Sequence, residues 1–286
     1  MIYTLTLNPS VDYYMSITDL VSGQVNRSSA EKIEFGGKGI NVSLMLKALG
    51  CKSRVITVLG GFTGRALLDK LQQLGIDCGY VEAEGNTRIN VKLSDFTEIN
   101  GSGVYVEKIA TERLLKLLSS ASSGDVVIMS GSACRGFDDD IYAFLIHKLK
   151  KMGVCCIVDT SGKLLKKAIE ARPWLIKPNI YELGEIFNTK AITSEEVGEY
   201  SHRLIDQGVQ NVLVTMGSEG AFFTDGNLDC FYKAPKIEAL NTVGAGDCTL
   251  AGFVYQYLKT KNIEKSVNFA VKCGTKRAET GQFLTF

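Results

Sequence analysis

Val126-Val127-Ile128-Met129-Ser130 and Cys155-Cys156-Ile157-Val158-Asp159 are two short apolar runs, and residues 138–152 between them have helical character. An apolar run without alternation is the mark of a strand buried on both faces. A strand, a helix and a second such strand form the unit from which parallel sheets are built. The same beat continues outward in both directions. Further strand-like runs lie at residues 2–7, 54–59, 174–177 and 211–216, and helical ones at 40–50, 64–74, 111–120, 162–171, 182–187, 194–207 and 249–258. The expected fold class is therefore α/β: a doubly wound, mostly parallel sheet flanked by helices.

Two stretches break the beat. Residues 11–17 with 29–35, and 87–93 with 95–100, read as short strands of polar character, which a sheet buried on both faces would not accept. They are expected to form a small β lid over one edge of the core. The organisation is then one domain over residues 1–286, with a discontinuous lid from roughly 10–35 and 87–101. No repeat or low-complexity linker interrupts it, and only 4 prolines are present.

Composition narrows the partners. A hydrophobic fraction of 45% with 22% charged residues suits a protein with a sizeable core, and a net charge of +1 gives no bulk attraction to nucleic acid or an anionic membrane. No apolar run approaches the roughly 18 residues of a membrane span. The first residues lack a basic n-region and a small-residue cleavage site, so they do not read as a signal peptide. Of 8 cysteines only Cys155 and Cys156 are close in sequence. With 2 histidines, no metal pattern emerges. Small reduced thiols in a cytoplasmic protein are the expectation.

Open parallel sheets bind ligands beyond the carboxyl ends of their strands, which directs attention to the glycine-rich segments there. Gly36-Gly37-Lys38-Gly39-Ile40-Asn41-Val42 runs into a helix. Its glycines let backbone N–H groups approach a ligand, and the helix start favours an anion. A turn that merely caps a helix is the competing reading; Asn41, a polar amide one turn in, favours a site. Gly244-Ala245-Gly246-Asp247 precedes an apolar helix. The amides of Gly244, Ala245 and Gly246 can form an anion hole, with Asp247 beside it. An Asp near a helix start also suits the macrodipole without any function, so both readings stand. A carboxylate next to an anion-binding turn is nonetheless the pair that phosphoryl transfer uses. Thr215-Met216-Gly217-Ser218-Glu219-Gly220 suits a nucleotide's phosphate or ribose edge, or equally a plain hairpin turn. Neither Gly-x-x-x-x-Gly-Lys-Ser/Thr nor Gly-x-Gly-x-x-Gly occurs, which speaks against P-loop and dinucleotide-binding chemistry.

Seven segments, in order along most of the chain, carry a resemblance. They are Asn8-Pro9-Ser10-Val11-Asp12, Asn26-Arg27, residues 36–42, Thr87-Arg88-Ile89-Asn90-Val91-Lys92, Ser130-Gly131-Ser132, Lys177-Pro178-Asn179 and Val243-Gly244-Ala245-Gly246-Asp247. Together they resemble the ribokinase-like family and, within it, the phosphofructokinase B branch. The resemblance implies an ATP- and Mg²⁺-dependent kinase acting on a ketohexose phosphate, with fructose 1-phosphate first and tagatose 6-phosphate or another sugar or nucleoside as alternatives. It also implies a homodimer formed through the lid. Asp247 would take the hydroxyl proton. Asp12, Asn41, Gly36 and Gly37 would hold the sugar, although Asp12 could simply cap a turn. Arg88, with Arg27 and Lys38, would pair the substrate's own phosphate; for Arg27 and Lys38 a solvated surface charge is an equal alternative. Ser130 would add a hydroxyl to that phosphate. Lys177, Asn179, Thr215, Gly217, Ser218 and Gly220 would line the ATP side, and Glu182 would hold the metal through water. Asn179 and Glu182 also fit a capping box, a compatible role. Two departures, the missing proline in residues 131–136 and the short stretches after Gly101 and Gly281, bear on the lid and the adenine contacts. A sugar-phosphate sensor without catalysis is the rival from another class, against which the intact 244–247 segment argues.

Overall fold

The computed structural model describes residues 1–93, 96–189 and 192–283. In chain order the first elements are β1 (Ile2–Thr6), β2 (Ser10–Ser16), β3 (Ala30–Gly36), α1 (Lys38–Ala48), β4 (Arg54–Leu59), α2 (Gly61–Gln73), β5 (Asp77–Glu82), β6 (Arg88–Leu93) and β7 (Thr97–Asn100). There follow α3 (Ile109–Leu118), β8 (Val126–Ser130), α4 (Ile141–Lys150), β9 (Cys155–Asp159), α5 (Gly162–Glu170), β10 (Leu175–Ile176), α6 (Ile180–Ile186) and α7 (Val197–Asp206). The last are β11 (Val212–Thr215), β12 (Ala221–Thr224), β13 (Asp229–Tyr232), α8 (Ala245–Thr260) and α9 (Ile263–Thr280).

The larger sheet has the order β13-β12-β11-β10-β9-β8-β1-β4-β5. All its pairings from β5 to β11 are parallel, and β12 and β13 close one edge as an antiparallel hairpin. The chain builds from β1 to β5 on one side, then returns to place β8 on the other. The strand order therefore reverses between β1 and β8, and a crevice opens beyond their carboxyl ends.

The non-alternating runs bury both faces, as expected. Val126 and Ile128 pack with Val42, Phe253 and Val267 on the side of α1, α8 and α9. Val127 and Met129 pack with Leu114, Leu145 and Leu165 on the side of α3, α4 and α5. These layers fix the carboxyl ends of β1, β8 and β9 in one plane, on which the site is built.

A second sheet has the order β3-β2-β6-β7, in the place expected for the lid; Asp95, where its last strand was expected to begin, lies outside the described residues. The register sorts its two faces. Ile33, Tyr13, Val91 and Ile99 stand in one row and Phe35, Val11 and Ile89 in the next, all on one face. Glu34, Asp12 and Asn90 stand on the other. The sheet is amphipathic, with its polar face toward the crevice.

Four elements depart from the expected set. β5 alternates around a central Gly79 at the sheet edge and is only half covered, so it lacks the apolar run that marks the inner strands. β12 and β13 are short strands of four residues that form a hairpin behind the tight turn at 217–220, with β13 at the sheet edge. α9 carries six Lys, Arg or Glu residues along its 18 positions, which blur the apolar stripe it lays against α8. Among the described residues no helix is long and apolar enough to cross a membrane.

Candidate active site

Two helix starts meet above the crevice. α1 begins after Gly37, whose φ is 135°. A Cβ at Gly37 would lie 2.7 Å from Thr6 Cγ2 and 3.2 Å from Pro9 Cα, so only glycine lets the chain turn into the helix this close to β1. The first turn then presents Lys38 and Asn41, three residues apart and on one face. α8 begins after Gly244, which is left-handed with a φ of 80°. Asp247 sits in the first turn, 4% exposed.

The two turns are tied together through Asp247. Asn41 Nδ2 donates to Asp247 Oδ2 at 2.8 Å, and Lys38 Nζ lies 3.1 Å from Oδ1. Lys38 Nζ is also 3.2 Å from Asp159 Oδ1, and Lys177 Nζ reaches the same oxygen at 3.2 Å. Asp159 is fully buried at the end of β9, and Lys177 is buried beside it. Burial works against the charge on Lys38, but the carboxylates of Asp159 and Asp247 outweigh it and raise the ammonium pKa. A chain of alternating charges thus runs Asp247, Lys38, Asp159, Lys177. Asp159 was not singled out from sequence as a site residue; its only signal was an acidic residue ending an otherwise apolar strand.

The turn before α8 differs from expectation in one detail. Ala245 N–H donates to the Thr242 carbonyl at 3.1 Å, closing a tight turn, so this amide is already engaged. Among the described residues no backbone carbonyl accepts from Gly246 or Asp247 N–H, as the first turn of a helix requires. Gly246 faces Lys177, whose Nζ would be 3.5 Å from a Cβ placed there.

Toward the lid, Asp12 Oδ1 accepts from Ser10 Oγ at 2.9 Å and from Asn90 Nδ2 at 2.7 Å. Asp12 lies within β2, so it caps no turn. A Cβ on Gly36 would stand 3.6 Å from Asn41 Oδ1 and 3.7 Å from Asp12 Oδ2, so glycine keeps the space between these two side chains open. Arg88 opens β6 opposite Ser10. Its Nε is buried without a hydrogen-bond partner, and burial lowers the guanidinium pKa against the opposing pull of Asp12. Asn90 Oδ1 is likewise buried and unpartnered; it too was not singled out from sequence.

The resulting cleft has a volume of about 1350 Å³, room for two ligands side by side. Asp12, Gly37, Lys38, Asn41, Arg88 and Asn90 line one end, and Lys177, Asn179, Glu182, Thr215, Gly217, Ser218 and Gly220 the other, with Gly244, Ala245, Gly246 and Asp247 between. A cavity of about 260 Å³ adjoins it at the β1–β8 crevice, lined by Thr6, Asn8, Ser132, Thr160 and Ser161. Lys38, Arg88 and Glu182 face both spaces.

Three expected site residues do not line these spaces: Gly36, which is buried behind Asp12 and Asn41, Ser130 and Arg27. Ser130 is fully buried and its Oγ has no partner, because as the last residue of β8 it points into the packed layers. After the left-handed Gly131, with a φ of 82°, Ser132 emerges into the smaller cavity instead. Arg27 is exposed in the loop between β2 and β3 and lines neither space.

Asn179 and Glu182 form the reciprocal capping box: Asn179 Oδ1 accepts from Glu182 N–H, and Glu182 Oε2 from Asn179 N–H, each at 2.8 Å. Burial raises the Glu182 carboxyl pKa, against the Asn179 bond and the Lys177 charge. Among the described residues no three His, Cys, Asp or Glu gather into a cluster. A Mg²⁺ held by one carboxylate, waters and ligand phosphates fits that donor set.

Comparison with known proteins gives a consistent picture. The pattern of the pfkB family carbohydrate kinases matches residues 5–282. The chain is 38% identical over 280 residues to a 1-phosphofructokinase of Bacillus subtilis, spanning 97% of this chain and 92% of that one. It is 35% identical over 257 residues to a D-tagatose-1-phosphate kinase of Bacillus licheniformis, spanning 89% and 84%. Among solved structures, phosphofructokinase-2 from Escherichia coli in complex with fructose-6-phosphate superposes with a TM-score of 0.89 at 27% identity, over 97% of this chain and 93% of that one.

Proposed function

The chain belongs to the pfkB family of carbohydrate kinases, and from that premise we propose that it transfers the γ-phosphoryl group of ATP to the 6-hydroxyl of fructose 1-phosphate, giving fructose 1,6-bisphosphate. The observation that carries the site assignment is Asp247: a carboxylate in the first turn of α8, held by Asn41 and Lys38 at the middle of a two-ended cleft. In this reading the sugar phosphate lies between Asp12, Asn90 and Asn41, and ATP lies along the Lys177 and 215–220 side.

The chemistry is one of placement and charge. Asp247 accepts the proton of the attacking hydroxyl. The free amides of Gly246 and Asp247, at the start of α8, receive the charge of the transferring group. Gly244 provides the left-handed turn, and Ala245 closes it. Lys38 and Lys177, set by Asp159, flank the phosphoryl path and balance its charge. Arg88 anchors the phosphate already on the sugar with a planar fork, and Ser132 lies nearer to that phosphate than Ser130. Glu182, through water, would hold Mg²⁺, whose charge would offset that of the ATP phosphates.

Tagatose 1-phosphate is the second reading, favoured by the similarity to a D-tagatose-1-phosphate kinase. That relative also moves the alternative acceptor from the expected 6-phosphate to the 1-phosphate. The smaller sheet acts in this reading as the lid of a single domain spanning residues 1–286. Its outer face, with Ile33 53%, Ile89 40% and Ile99 60% exposed, suits a second copy of the chain. Eight free cysteines suit a reducing cytoplasm.

The test is ADP release coupled to a reporter enzyme, over fructose 1-phosphate, tagatose 1-phosphate, tagatose 6-phosphate, fructose 6-phosphate and the free sugars. Fructose 1-phosphate is expected to give the highest kcat/KM. A free sugar performing best, or no acceptor stimulating ADP release, would overturn the assignment.

A further inference from the structure

Arg277, on α9, is 4% exposed, and neither Nε nor Nη1 has a hydrogen-bond partner. Among the described residues no carboxylate forms an ion pair with it. The guanidinium lies between two turns: Nε would be 3.5 Å from a Cβ on Gly244, and Nη1 3.9 Å from one on Gly281. The ring of Phe283 covers it at 4.7 Å. Its charge is felt by Cys248, behind Asp247, and by Tyr14 of the lid sheet.

A buried ionisable group without a counter-charge normally escapes its desolvation cost by giving up its charge. Arginine cannot, since its guanidinium stays protonated in proteins. A cation fixed in this way, with no ion-pair partner among the described residues, is a standing positive charge beside the turn. The anion-receptive element beside it is the start of α8, behind Gly244.

We infer that Arg277 is a positioning residue that holds a permanent positive charge behind the 244–246 turn, stabilising the negative charge of the transferring phosphoryl group without touching it. This rests on the proposed placement of that group at the turn. Because the charge acts from behind the turn, it favours the transition state over the binding of either substrate, and its loss belongs in kcat and not in KM.

The experiment compares Arg277→Met and Arg277→Lys in the full chain, with folding monitored by thermal melting. Arg277→Met is expected to lower kcat per folded molecule by roughly 10- to 100-fold, less than the loss of a direct oxyanion donor, with both KM values within about twofold. Arg277→Lys should keep most of kcat. Guanidinium ion added at millimolar concentration should restore part of kcat to Arg277→Ala and none to Asp247→Asn. Unchanged kcat in Arg277→Met alongside an inactive Asp247→Asn would overturn this inference and leave the site assignment standing. Full activity in Asp247→Asn would overturn the site assignment itself. A shifted pH–rate profile with an unchanged plateau would assign Arg277 to tuning Asp247 instead, and so overturn the inference. Should Arg277→Met fail to fold, Arg277→Lys carries the test: a normal melting temperature with a hundredfold loss of kcat overturns the charge argument.

Discussion

Asp247 is held by one neutral and one charged donor, and the substitution that separates its roles is Asp247→Asn. The amide keeps the shape and can still hydrogen-bond Asn41, but it cannot take a proton. A general base is worth about 10²- to 10⁴-fold, so kcat is expected to fall by that order while KM for the sugar phosphate holds; steady-state kinetics on the purified variant check this. Glu182 allows a cleaner separation, because Gln also serves at the third position of a capping box. Burial raises the Glu182 carboxyl pKa. The folded state therefore binds that proton more tightly than the unfolded chain does. Its contribution to stability is full below the unfolded pKa and is lost as pH rises through the folded one. At neutral pH the charge is a net cost. Glu182→Gln is expected to melt at or above the wild-type temperature at pH 7, an advantage that shrinks toward pH 4, while kcat with Mg-ATP falls about 10- to 100-fold, as for other residues supporting a metal. A variant that melts lower at pH 7 would show that the carboxylate stabilises the fold.

At the level of elements, α1 is the piece whose placement matters most, since its first turn delivers both Lys38 and Asn41. Its entry rests on Gly37, whose φ and contacts with Thr6 and Pro9 exclude a side chain. Gly37→Ala is expected to cost about 1–3 kcal/mol of stability through backbone strain and to lower kcat by moving both side chains off Asp247. Chemical denaturation and kinetics on one preparation check the two effects together. The inner strands of the large sheet were legible in the sequence because burial on both faces demands an unbroken apolar run, as at Val126–Ser130. The smaller sheet was legible as the stretch that broke that rule. β5 and β13 were not, since edge strands are held by neighbours more than by their own residues, and the four-residue β12 between β11 and β13 was too short to stand out. The same contrast holds in the site. Gly37, Asn41 and Asp247 announced themselves by glycine spacing and misplaced polarity. Asp159 ends a strand that reads as core, and only the three-dimensional meeting of α1 with β9 and β10 reveals that it binds two lysines. Ser130 and Ser132 show the reverse limit: the direction of a side chain after a left-handed glycine is a matter of backbone geometry, not of composition.

For the molecule as a whole, the proposed roles of the amphipathic smaller sheet are to cover the cleft and to pair with a second copy. A row of Ile33, Tyr13, Val91 and Ile99 facing away from the site is the kind of face that a second copy covers. The double substitution Ile33→Lys with Ile99→Lys is expected to convert a dimer to a monomer in sedimentation velocity at micromolar concentration. A wild-type chain that already sediments as a monomer would remove the dimer from the account.

The engagement of Asp247 by Lys38 has a further consequence, for fidelity. In the proposed reaction each oxygen of the base already accepts one donor, an ammonium on one and an amide on the other, which lowers its basicity toward a stray water. In the same proposal an acceptor hydroxyl competes with those donors for the carboxylate, and a molecule anchored elsewhere by Arg88 and Asp12 competes best. On that proposal the resting ion pair is expected to limit wasteful hydrolysis of the nucleotide. ADP release without any sugar phosphate is expected to be a minute fraction of turnover, and to rise relative to turnover in Lys38→Met.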